Sequence, residues 1–101
     1  MNRLVYKICP RLEWNAALAE GVYRGSAVDR RDGFIHLSGE AQVEETRRRH
    51  FAGQRDLLLV TFEAADLGQD LRYEPSRNGE LFPHFHGELR VSLAREVKEI
   101  A

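Results

Sequence analysis

The stretch DLLLVTFE, Asp56 to Glu63, is a continuous apolar run closed by an acidic residue at each end. A strand with one wet face alternates apolar and polar residues, and this one does not. It therefore reads as a central strand covered on both faces. The rest of the chain has to supply its neighbours and its covers.

Upstream, RLVYKI (Arg3 to Ile8) has the composition of a first strand. Pro10 is suited to open the helix that follows, because its missing N–H would be unsatisfied there anyway. In that helix Trp14, Ala17 and Leu18 share a side, and Gly21 supplies the stop. A short extended piece and a polar turn lead into DGFIHLS (Asp32 to Ser38), a strand whose alternation sends Ile35 and Leu37 one way and Phe34, His36 and Ser38 the other. Ser38 is placed to cap a second helix, Glu40 to Ala52, closed by Gly53. Its apolar stripe is thin, so Thr46 or His50 is expected to join Val43 and Phe51 on the buried face. Downstream come a helical turn at Ala64 to Gly68, a strand at Leu71 to Glu74, the polar loop PSRNGELFPHFHG, a turn near Val91 to Ala94 and a last strand at Glu96 to Ile100. Helices early and strands crowded at the end favour an α+β fold over an alternating parallel one.

Composition bounds the rest. A chain of 101 residues with 43% hydrophobic content makes one domain, residues 1–101, and is too short for two. Fifteen basic and sixteen acidic residues give a net charge of −1, so nucleic acid is not the expected partner and an anionic ligand needs a local cluster. The single cysteine, Cys9, allows no internal disulfide. No apolar stretch reaches the length of a signal sequence or a membrane span, and the expected location is cytoplasmic.

Three constellations carry chemistry. His36 and Ser38 share a strand face and can meet one ligand, or His36 can be a core histidine and Ser38 only a cap. In ELFPHFHG an extended backbone puts Phe82, His84 and His86 on one side, and the plainer reading is an aromatic loop closing the core, with Pro83 confining it to an edge or turn. Glu74 and Glu80 flank Ser76 and Arg77, where charged loop residues are ordinarily solvated. The arginines Arg47, Arg48 and Arg49 diverge by about 100° from one to the next on a helix, so they form no phosphate patch. No spaced ligand motif for a metal is present, and no signature of a cysteine nucleophile surrounds Cys9.

The succession YKICPRLEW, GSAVDRRDGFIHLS, HFAGQRDLLLVTFEAADLG, LRYEPS and LFPHFHG strongly resembles the bacterial family catalogued as domain of unknown function 952, over nearly the whole chain. The resemblance implies an ADP-ribosyltransferase-like fold: two small, mostly antiparallel sheets flanked by two main helices, with a cleft that holds a nicotinamide dinucleotide in active relatives. A more distant resemblance, carried by HLS, is to the tRNA 2′-phosphotransferase branch. His36 and Ser38 match the cleft histidine and its neighbouring serine there. In the first strand, where active relatives commonly place a histidine or arginine, this chain has Tyr6 and Lys7.

The implied arrangement puts the pyrophosphate of NAD or a related nucleotide near Lys7 and Arg77, its nicotinamide ring against Tyr73 or Phe82, and its ribose near His36 and Ser38. Glu80 is the carboxylate that would stabilise charge on the ribose, with Glu74 the other candidate, and His84 is the group for proton transfer. The competing expectations are a non-enzymatic module that keeps the cleft and a phosphoryl- or nucleotide-handling enzyme. The acceptor and the oligomeric state stay open.

Overall fold

The computed structural model describes residues 3–101. It is α+β, built from small antiparallel sheets and a few short helices. In chain order the strands and helices are β1 (Leu4–Pro10), α1 (Arg11–Glu20), β2 (Val22–Tyr23), α2 (Ala27–Asp32), β3 (Ile35–His36), β4 (Ser38–Gly39), α3 (Val43–His50), β5 (Leu57–Glu63), α4 (Ala64–Leu67), β6 (Leu71–Pro75), β7 (Leu81–Phe85), β8 (Leu89–Arg90) and β9 (Ala94–Glu99). A four-stranded sheet runs β4-β1-β5-β9 and a three-stranded one β3-β7-β6, with a two-stranded ribbon of β2 and β8 beside them. No helix among the described residues is long and apolar enough to cross a membrane.

The apolar run forms β5, paired along its length with β1 on one side and β9 on the other. Register decides its two faces. Cys9 lies opposite Leu58, Lys7 opposite Val60 and Val5 opposite Phe62, and these residues point into the main core. Facing them are Ile35 and Phe85 from the three-stranded sheet, Trp14 and Ala17 from α1, and Tyr23 and Leu89 from the ribbon. On the reverse face Leu57, Ile8 and Thr61 are also buried, while Leu59 is only half covered. The outermost strand, β9, is exposed and charged along most of its length, which blunts an otherwise open edge.

Several expectations are corrected. Leu18 is exposed although Trp14 and Ala17 are buried, because α1 presents only a narrow side to the core. The polar segment after Tyr23 is not a turn but α2, capped by Ser26 and ended by Gly33 in the left-handed conformation (φ +87°). The strand expected to end at Ser38 is divided between sheets: β3 pairs with β7, and β4 with β1. Ser38 caps no helix. Its hydroxyl donates to Thr46 Oγ1, and α3 starts only after a tight turn at Glu40–Gln42, where Gln42 Oε1 accepts from the Gly39 N–H.

The polar loop is likewise a hairpin, since β7 takes up Leu81–Phe85 and pairs with β6. Pro83 is tolerated inside it because β3 has already stopped there. The Pro83 carbonyl accepts from Leu37 N–H on the β3 side, and a strand residue's N and O face the same way, so the absent N–H falls beyond the last β3 pair.

This burial pattern ranks the substitutions in β5. Phe62→Ala, from a fully buried site, should cost about 3–5 kcal/mol, and Leu59→Ala, from a half-covered one, about 1–2 kcal/mol. Urea melts of the two variants check the order, and a larger loss at Leu59 would mean that the faces of β5 are reversed.

Candidate functional site

The site is organised by a residue that first appears as a capping group. In SAVD, Ser26 to Asp29, the Ser26 hydroxyl accepts from Asp29 N–H while the Asp29 carboxylate accepts from Ser26 N–H, a reciprocal cap at the start of α2. The Asp29 side chain then continues inward and is 3% exposed. Its Oδ2 also accepts from Lys7 Nζ at 2.7 Å, and its Oδ1 accepts from the backbone N–H of His36 at 3.1 Å and from His36 Nδ1–H at 2.7 Å. Gly25 makes room: at φ +98°, a Cβ there would lie 2.6 Å from Asp29 Cβ.

Burial alone would raise the Asp29 pKa. The bond from His36 and the Lys7 ammonium outweigh it, and the carboxyl is held well below the usual range.

His36 is thereby fixed at both ends of its ring, since Nε2 lies 3.1 Å from Asp32 Oδ2. Across the strand pair its ring centroid is 5.4 Å from that of His84. Phe34 lies among the imidazoles, 4.2 Å from the His84 ring and nearly stacked on it, 4.6 Å from His36 and 5.2 Å from His86. His84 Nδ1 and His86 Nε2 both reach Glu74 Oε1, at 2.9 and 2.8 Å. Burial pushes the His84 pKa down, against the raising effect of Glu74, while bonds from His86 and His84 hold Glu74 low.

Beside this cluster, Arg77 donates to Glu45 and Thr46 and lies over the Phe82 ring at 4.9 Å. Thr46 also receives the Ser38 hydroxyl. His50 is near enough to be lowered by burial and then by the charges of Arg77, Arg49 and His36.

The residues read from the sequence fall into two groups. His36, His84, Phe82, Arg77 and Ser38 lie on the cluster side. Tyr73 and Glu80 belong to a separate groove of about 510 Å³ with Arg3, Gln42, Leu81 and Pro83, because alternation along β6 and β7 turns Tyr73 and Pro83 to the face opposite His84. There the Arg3 guanidinium covers the Tyr73 ring at 4.1 Å and Glu80 accepts from Gln42. Lys7 is 7% exposed and engaged by Asp29 and the His36 carbonyl, so its ammonium is taken up inside the fold. Asp29, Asp32 and Phe34 join the site from outside that set, and of these the sequence signals only the cap, through the S-x-x-D pattern of SAVD. No group of three or more His, Cys, Asp or Glu side chains converges on a metal position among the described residues.

The chain belongs to the family described as protein of unknown function (DUF952), whose model matches residues 8–97. Among solved structures it is similar to protein CC0527 from Caulobacter crescentus, a structural-genomics target. The crystal structure is 48% identical with a TM-score of 0.94, covering 97% of this chain and 86% of that one. The solution NMR structure of the same protein is 48% identical with a TM-score of 0.86, covering 96% and 84%. A comparison with curated proteins finds no match.

Two outcomes follow from the buried charges. Asp29→Ala strands the Lys7 ammonium and should cost about 3–5 kcal/mol in urea melts, with part of it returned by adding Lys7→Met. An Asp29→Ala loss below about 1 kcal/mol would show that the pair contributes little. The pH dependence has a definite sign. His84 and His50 have folded-state pKa values below 6.5, so the unfolded chain takes up protons first and stability declines as pH falls below about 6.5. Urea midpoints should therefore be lower at pH 5.5 than at pH 7.5, and His84→Gln should reduce that difference.

Proposed function

We propose that this chain is an ADP-ribosyltransferase-like enzyme that binds NAD or a related nucleotide, with His36 and His84 as its reacting groups. The observation that carries the reading is the pairing of these two histidines across β3 and β7, each ring anchored to a carboxylate and the two separated by 5.4 Å. The HLS histidine thus lies beside the histidine of LFPHFHG, on a sheet face that also brings aromatic rings and an arginine close by.

In this site the nicotinamide ring packs against Phe34 or Phe82, and Arg77 is the cation available to the pyrophosphate. Departure of nicotinamide leaves positive charge on the ribose, which a preorganised carboxylate stabilises. Glu74 takes that role and not Glu80, because Glu80 opens on the other groove while Glu74 is held ionised beside the two imidazoles. His84, kept neutral by burial, is the proton acceptor. A non-enzymatic binding module is the second reading, and the burial of Lys7 favours it, since the first strand then offers the dinucleotide no charged grip.

Thermal shift with NAD and ADP-ribose tests the proposal. A ligand at 100-fold its dissociation constant stabilises by about 2.7 kcal/mol, which in a domain this small raises Tm by roughly 10 °C or more. The shift should vanish in His36→Asn. No shift with either compound would retire the nucleotide reading, an unchanged shift in His36→Asn would move the site, and binding without release of nicotinamide would select the module.

A further inference from the structure

An imidazole-rich face suggests a trap for anions. Here, however, each imidazole already has its carboxylate: His36 lies against Asp29 and Asp32, and His84 and His86 share Glu74. The hydrogen-bond bookkeeping then assigns the protons. An ionised carboxylate only accepts, so the bond to Glu74 Oε1 requires the proton on His84 Nδ1. In the neutral ring that leaves Nε2 as a bare lone pair.

His84 is 3% exposed, and its Nε2 is buried with no hydrogen-bond partner among the described residues. A buried acceptor with nothing to accept is uncommon and calls for a reason. One face of the imidazole is covered by Phe34, a half-buried ring stacked on His84 with the other two imidazoles beside it. Phe34 follows Gly33 at the end of α2 and precedes the two-residue β3, so its side chain is held by packing alone.

From the unpartnered Nε2, the Glu74 bond and the Phe34 cover, we infer that His84 is an acceptor subsite for a neutral hydrogen-bond donor, a ribosyl hydroxyl, reached when the ligand's own ring displaces Phe34 from the imidazole. Glu74 is its positioning residue, because it determines which ring nitrogen is bare. Phosphate is disfavoured at this subsite, because its negative charge meets Asp29, Asp32 and Glu74 around the imidazoles, with Arg72, the exposed cross-strand neighbour of His84, as an opposing charge. The inference rests on the nucleotide reading for the identity of the ligand and goes beyond it in naming which end of that ligand lies here.

The test is a long-range ¹H–¹⁵N spectrum of histidine-labelled protein at pH 7.5, with nicotinamide riboside and inorganic phosphate as separate probes. The free protein should show His84 with Nδ1 protonated and Nε2 bare. Nicotinamide riboside should move the Nε2 signal in the direction of an accepted hydrogen bond, and phosphate at equal concentration should leave it in place. Glu74→Ala should mix the two tautomers and weaken nicotinamide riboside about tenfold, the weight of one hydrogen bond, with Glu74→Asp recovering part of both. Phe34→Ala, which removes the cover, should still respond to the nucleoside.

A protonated Nε2 in the free protein, a response to phosphate and not to the nucleoside, or an unmoved Nε2 in Phe34→Ala overturns the inference. NAD binding with Nε2 unmoved defeats this subsite and leaves the nucleotide reading standing. A nucleoside response without NAD binding does the reverse.

Discussion

The buried carboxylate of Asp29 is the interaction on which the rest of the structure depends. It accepts four hydrogen bonds, from Ser26 N–H, Lys7 Nζ, His36 N–H and His36 Nδ1–H. Those donors come from the start of α2, from β1 in the four-stranded sheet and from β3 in the three-stranded one. A single side chain therefore ties a helix to both sheets. Taking the Asp29–Lys7 pair out of water is costly, and it is tolerable only because nearly every lone pair and proton is matched. Once formed, the arrangement is geometrically exacting, since moving any of the three elements leaves a charge unpaired in the core.

That exactness is useful at a site. The His36 ring is aimed by Asp29 and Asp32, and the His84 ring by Glu74. A ligand meeting this face would find both imidazoles already ordered, with little binding energy lost to fixing rotamers. The three-stranded sheet divides the labour by alternation. Ile35 and Phe85 face the core, and His36 and His84, their neighbours in sequence, face the other way. The same alternation separates Tyr73 from the histidines, while Glu80, in the turn before β7, is drawn into the other groove by its bond from Gln42.

Lys7 shows how one residue type can serve two ends. The proposed nucleotide reading would look for a histidine or arginine on the first strand to grip a dinucleotide, and the chain has Tyr6 and Lys7 there. In this chain the ammonium is turned inward, opposite Val60, and neutralises Asp29. The cations near the imidazoles include Arg77, which comes from the turn between β6 and β7 and lies over Phe82, and Arg72, exposed on β6 opposite His84.

By itself the sequence determined the periodic and the local. The apolar run at Leu57–Glu63 had to be an interior strand, Gly21 had to end the first helix, and alternation in DGFIHLS had to separate Ile35 from His36. The capping box in SAVD was equally local and readable. What only the tertiary structure decided were the pairings: that Ile35–His36 and Ser38–Gly39 join different sheets, that Pro83 fits within β7, that Asp29 passes from cap to buried counter-ion, and that Glu74 and not Glu80 meets the histidines. The physical reason is range. Periodicity and capping act over a few residues, whereas the partners of a buried charge lie 22 residues away for Lys7 and Asp29 and 10 for Glu74 and His84, and only the closing of the sheets brings them within reach.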